Sequence, residues 1–184
     1  NYNVVVGDEA GTAITTGDAN TFVGFEAGKT ISTASENTAF GYQALKANTS
    51  GDGNTAIGVK AMDANTVGDR NVAVGSDALG AMNPATNTDM YNVGVGYHAG
   101  LSVTTGLSNT LVGGQTGEAI TTGSYNSFVG ARAGDAINTG SNNVAIGWAT
   151  LSADTKGDKT TAIGRSALGS QNFTTATDTY NTAV

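Results

Sequence analysis

The 184-residue chain has no cysteine, one proline, one tryptophan, one histidine and only 12% charged residues, with aromatics at 7%. Without cysteine there are no disulfide staples and no thiolate metal sites. Charge at about half its usual share, with few aromatics, argues against an ordinary disordered tail, which keeps its net charge high. The formal net charge is −7. Binding to phosphate needs a surplus of lysine and arginine, so nucleic acid is excluded as a partner. No apolar run approaches the roughly 18 residues of a membrane-spanning helix, so membrane insertion is not expected. The chain opens Asn1-Tyr2-Asn3, neither an initiator methionine nor a signal peptide, and is expected to be a mature piece or a section of something longer. What it has in abundance is 27 glycines and 28 threonines. Both are poor helix formers, and a helical bundle is excluded.

An internal repeat decides the architecture. A five-residue core recurs as NVVVG at 3–7, NTFVG at 20–24, NTAFG at 37–41, NTAIG at 54–58 and NVAVG at 71–75. The second set is NVGVG at 92–96, NTLVG at 109–113, NSFVG at 126–130, NVAIG at 143–147 and TTAIG at 160–164. The closing glycines are spaced 17, 17, 17, 17, 21, 17, 17, 17 and 17 residues apart. Four units of 17 and one of 21 make a period of 89, so 2–90 is a first super-repeat, 91–179 a second and 180–184 the start of a third. No separate globular domain is expected.

Each unit reads as short β-strands separated by turns. The core is rich in Val, Ile, Phe and Thr and alternates as a half-buried strand does. A second short apolar patch follows, as in Ala44-Leu45 and Ala61-Met62, and then a Thr/Gly turn at Gly17, Gly51, Gly68, Gly106, Gly123, Gly140 and Gly157. Stacked units of fixed length make a solenoid. Counting the core asparagine as position zero, glycine at position eight goes with Ile or Val at position eleven, as in Gly28 and Ile31. Leu or Met at position eight goes with Asn or Asp at eleven, as in Leu45 and Asn48, and all eight 17-residue units obey the rule. Two side chains that compete for one core space must touch, because interiors tolerate neither a void nor an excess. The asparagines themselves (Asn3, Asn20, Asn37, Asn54, Asn71, Asn92, Asn109, Asn126, Asn143 and Asn181) are expected to form a stacked structural ladder, each bonding its neighbour one coil away.

A 17-residue coil at ~3.3 Å per residue has a perimeter of roughly 56 Å, and eleven coils at ~4.8 Å make a rod of about 50 Å. Such a coil holds few core side chains, so three chains sharing an axis would bury more apolar area and cover strand edges. NVAIG, NTAIG, TTAIG and NVAVG, each followed by two variable residues and a small one, resemble the head repeat of trimeric autotransporter adhesins. NTAFGYQAL at 37–45, with its Thr/Gly turn, resembles the NTxxGYxAL repeats of bacteriophage tail fibres. The resemblance covers nearly the whole chain and implies a parallel β-roll in a homotrimeric fibre. The 17-residue period is longer than the adhesin repeat.

Little chemistry is visible. His98 stands at position six, where Glu9, Gln43, Lys60, Arg132 and Ala149 also occur, and reads as a solvent-facing residue with no recurring partner. Asp18, Asp52, Asp69 and Asp158 follow the turn glycine without the GGxGxD pattern of a calcium-binding roll, and read as solubilising turn residues. A threonine row at position one, interrupted by Val4, Val72, Val93 and Val144, reads as partly buried strand, with ice binding a minor alternative. Position five carries Phe25, Tyr42, Tyr97 and Trp148, and the two insertions carry Asn83, Tyr91, Asn172 and Tyr180; these are the candidate receptor contacts. No catalytic residue, metal or cofactor is expected. The expected function is the shaft section of an extracellular fibre, on a virion or cell surface, that positions a receptor-binding tip. Its expected partners are further copies of itself and a cell-surface glycan or receptor. The alternatives are a carbohydrate- or receptor-binding module and an end-to-end filament subunit.

Overall fold

A computed structural model describes residues 2–184. The protein is an all-β solenoid of about 17 residues per coil, with no helix among the described residues. Eleven short strands, from Val4–Val6 at one end to Thr182–Ala183 at the other, form one parallel sheet in chain order. The register is position on position: Thr21 pairs with Thr38, Phe22 with Ala39 and Val23 with Phe40. Pairing crosses from one super-repeat into the next without a break, Val72 to Val93.

The core of every coil is strand, and the other strands among the described residues are the two-residue pairs at Gly68–Asp69, Thr88–Asp89, Gly157–Asp158 and Thr177–Asp178. The second apolar patch, expected as strand, is a run of turns, because the backbone there is left-handed at positions six and eight. Glu26 has φ 55° and Leu45 φ 53°, and position sixteen is left-handed as well, as at Tyr125 with φ 61°. The closing glycines have φ between 116° and 141°, and a Cβ on Gly58 would lie 2.5 Å from the carbonyl oxygen of Gly75 in the next coil. Only glycine permits both that dihedral and that approach. The turns nonetheless stack through main-chain bonds: Leu45 N–H donates to the Ala61 carbonyl at 3.0 Å and Lys60 N–H to the Tyr42 carbonyl at 2.9 Å.

The core lies inside the coils, built from positions two, seven, eight and eleven. Positions eight and eleven meet as expected, since a Cβ on Gly117 would stand 2.8 Å from Ile120 Cδ1. A third residue shares the space. The same Cβ would stand 2.9 Å from Leu111 Cδ2, and one on Gly28 would stand 2.7 Å from Phe22 Cε2. Coils with Phe22, Leu111 or Phe128 at position two therefore carry glycine at eight, while coils with Ala39, Ala56, Ala73 or Ala145 carry Leu or Met. Gly94 and Gly100 are both small, and Leu79 and Leu111 from the coils on either side fill the gap. The long turn at 80–91 buries Met82 and Met90 and returns as Thr88–Asp89 against Gly68–Asp69, so the next coil starts in phase. The second long turn, at 169–180, repeats the pairing, with Thr177–Asp178 against Gly157–Asp158, but has half-buried Gln171 and Thr179 where the first has Met82 and Met90.

Candidate functional site

Three polar ladders run along the rod. In the first, the amide oxygen of each core asparagine accepts the main-chain N–H of the residue at position zero in the next coil. The series runs from Asn3 Oδ1 with Asn20 N–H at 2.8 Å to Asn143 Oδ1 with Thr160 N–H at 2.9 Å. The amide nitrogen reaches across the coil to the carbonyl at position fourteen, as Asn109 to Gly123 at 2.9 Å and Asn126 to Gly140 at 2.9 Å. Amide-to-amide bonds join Asn54 to Asn71, Asn92 to Asn109 and Asn109 to Asn126. Most of the ladder is thus side chain to main chain. These asparagines satisfy buried backbone groups, where an unmade bond costs about 1–3 kcal/mol. Asn181, in the last strand's coil, donates to Gln171 Oε1 at 2.8 Å.

The second ladder stands at position fifteen and was not anticipated. Ser35 Oγ accepts Asp18 N–H at 3.1 Å, Asp52 Oδ1 accepts Ser35 N–H at 2.7 Å and Asp69 Oδ1 accepts Asp52 N–H at 2.7 Å. Ser124, Ser141 and Asp158 repeat the series in the other super-repeat. It runs opposite to the first: each side chain serves the coil before it. Main-chain N–H groups of Tyr2 and Ala19 hold the Asp18 carboxyl below its ordinary pKa, whereas burial pushes Asp69 up. The third ladder is threonine at position twelve, with Thr49 Oγ1 donating to the Thr66 carbonyl at 3.1 Å and Thr104 Oγ1 to the Thr121 carbonyl at 3.1 Å. Asn83 and Asn172, two of the candidate receptor contacts, accept hydroxyls of this ladder from Thr66 and Thr155.

The remaining candidate contacts lie in two rows, one along each edge of the sheet. At position five, Phe25 stacks on Tyr42 with centroids 5.5 Å apart, Tyr97 stacks on His98, and the Arg165 guanidinium sits 5.0 Å from the Trp148 ring. Immediately before the next core asparagine, where the 17-residue coils have position sixteen, Tyr91 donates to Asp89, which also pairs with Arg70; Tyr180 repeats this with Asp178 and Lys159, 89 residues on. The Lys159 ammonium depresses the Asp178 pKa. His98 lies 2.9 Å from Glu118 Oε1, so it has a partner that its free variation in the sequence did not suggest. Position one is strand, as expected, half-buried at Thr38, Thr55, Thr161 and the interrupting Val72, Val93 and Val144, and exposed at Thr21, Thr110 and Thr182.

Along positions six and nine a charged network ties the first coils together. Glu26 sits between Lys29, Lys46 and Gln43, and Lys29 also pairs with Glu9. Hydrogen bonds from Lys29 first, then Lys46 and Gln43, hold the Glu26 carboxyl at about 2. Among the described residues no three potential metal-ligating side chains converge and no pocket opens. No family model, curated protein or solved structure matches this chain.

Proposed function

We propose that this chain is a section of the shaft of an extracellular fibre, of the phage tail-fibre or bacterial surface-adhesin kind, acting as a stiff non-catalytic spacer that positions a receptor-binding tip. The observation that carries the reading is continuity. One sheet, one core and the asparagine ladder run through the coils with the same register in each, the two shorter ladders recur in both super-repeats, and both insertions return the chain to phase. Every coil is hydrogen-bonded to its neighbours at strand, corner and turn, so bending the rod anywhere breaks several bonds at once. Several copies of the chain make up the shaft, three in the arrangement that the sequence resemblance implies. The carbohydrate-binding alternative draws on the exposed aromatics at position five. A glycan array probed with this section alone separates the two. The spacer reading expects no binding above background, and dose-dependent binding abolished by Trp148→Ala or Tyr97→Ala would replace it with the binding module.

A further inference from the structure

Every large apolar side chain that the fold leaves exposed falls on one side of the rod, between position sixteen of one coil and position five of the next. Position three is Val, Ile or Phe in every coil and faces outward: Val6 is 57% exposed, Phe40 55% and Ile146 41%, while Val23, Val74, Val95 and Val112 are half-buried. Positions one through four carry no charged residue anywhere in the chain, and position five carries only Asp8 and Arg165, near the two ends. The remaining charges lie on the other sides of the coil or on the rim at position sixteen.

The face is large. Eleven rungs at ~4.8 Å by about six residues at ~3.3 Å give a strip of roughly 48 by 20 Å, near 950 Å². A stable interface takes about 800 Å² from each partner, with aromatics enriched and charge depleted at its centre. Its relief also selects the occupant. Ridges repeating at the rung spacing can be followed along the whole strip only by a surface with the same spacing, and a second copy has it. A strip whose charges are only Asp8 and Arg165, near its two ends, offers little complement to a charged partner.

We propose that this outward face of the sheet is where copies of the chain pack against one another. The inference rests on the multi-chain reading of the shaft and names the surface that joins the chains. Sedimentation equilibrium over a wide concentration range tests it on four proteins: wild type, Phe40→Lys/Ile57→Lys, Val129→Lys/Ile146→Lys, and Thr139→Asp on the opposite side as control. The replaced side chains point outward, and circular dichroism checks that each variant keeps the fold. The expected result is an oligomeric wild type and control, with either double variant weakening association more than about tenfold. A wild type that stays at 18.3 kDa throughout overturns the inference together with the multi-chain reading. An oligomer unchanged in both folded double variants overturns the inference alone.

Discussion

The residues at positions six, eight and sixteen hold left-handed backbone in every coil, mostly with side chains that avoid it. For an L-residue that conformation costs about 1–2 kcal/mol, and closing the coil imposes it. Ala149, with φ 49°, has no side-chain bond to lose. Ala149→Gly is expected to raise stability by about 0.5–1 kcal/mol in denaturant melts, the relief of strain exceeding the entropy that glycine adds to the unfolded chain. Glu26 gives a pH dependence. Its carboxyl ionises near 2 in the fold against an ordinary 4.5, so its contribution is complete above 4.5 and is lost as pH falls toward 2. Glu26→Gln should lower the melting temperature at neutral pH, with the difference from wild type closing between pH 4.5 and 2. None of this was legible at position six, where acids, amides and cations alternate. Composition there records exposure and says nothing of φ.

The coil is the element, and its core has two solutions. In the 17-residue coils a large residue at position two takes glycine at eight and an aliphatic residue at eleven, as in Phe128, Gly134 and Ile137; alanine at two takes leucine or methionine at eight and a polar residue at eleven, as in Ala145, Leu151 and Asp154. Gly134→Leu alone drives a side chain into the Phe128 ring and should cost about 1–3 kcal/mol, and Phe128→Ala alone about 3–5 kcal/mol. The triple variant Phe128→Ala/Gly134→Leu/Ile137→Asn converts the coil to the other solution and should recover most of that loss. Equilibrium unfolding of the singles and the triple checks it, and additive losses would show that the three sites do not share one space. The sequence displayed the eight–eleven pairing because both members change class together. Position two carried the same signal in Phe22, Leu111 and Phe128, but as part of the strand motif it reads as ordinary alternation. The ladder at position fifteen was hidden for a related reason: Asp and Ser after a turn glycine look alike whether their oxygens meet water or the N–H of the coil before.

At the scale of the whole molecule, the period written into the chain becomes a length. The order of coils, their register and the rod shape were all legible from the glycine spacing, because a parallel stack of equal units has one way to align. The outward apolar face was not legible as a surface. Valine and isoleucine at position three look like core residues until the structure shows that position two fills the interior. A shaft built this way lengthens by whole periods without thickening. Small-angle X-ray scattering of the chain beside one carrying an additional 89-residue period measures that directly. The expected result is a rise of about 24 Å in maximum dimension, five rungs at ~4.8 Å, with an unchanged cross-sectional radius. A thicker particle, or one no longer than before, would contradict the reading of this chain as a length of shaft.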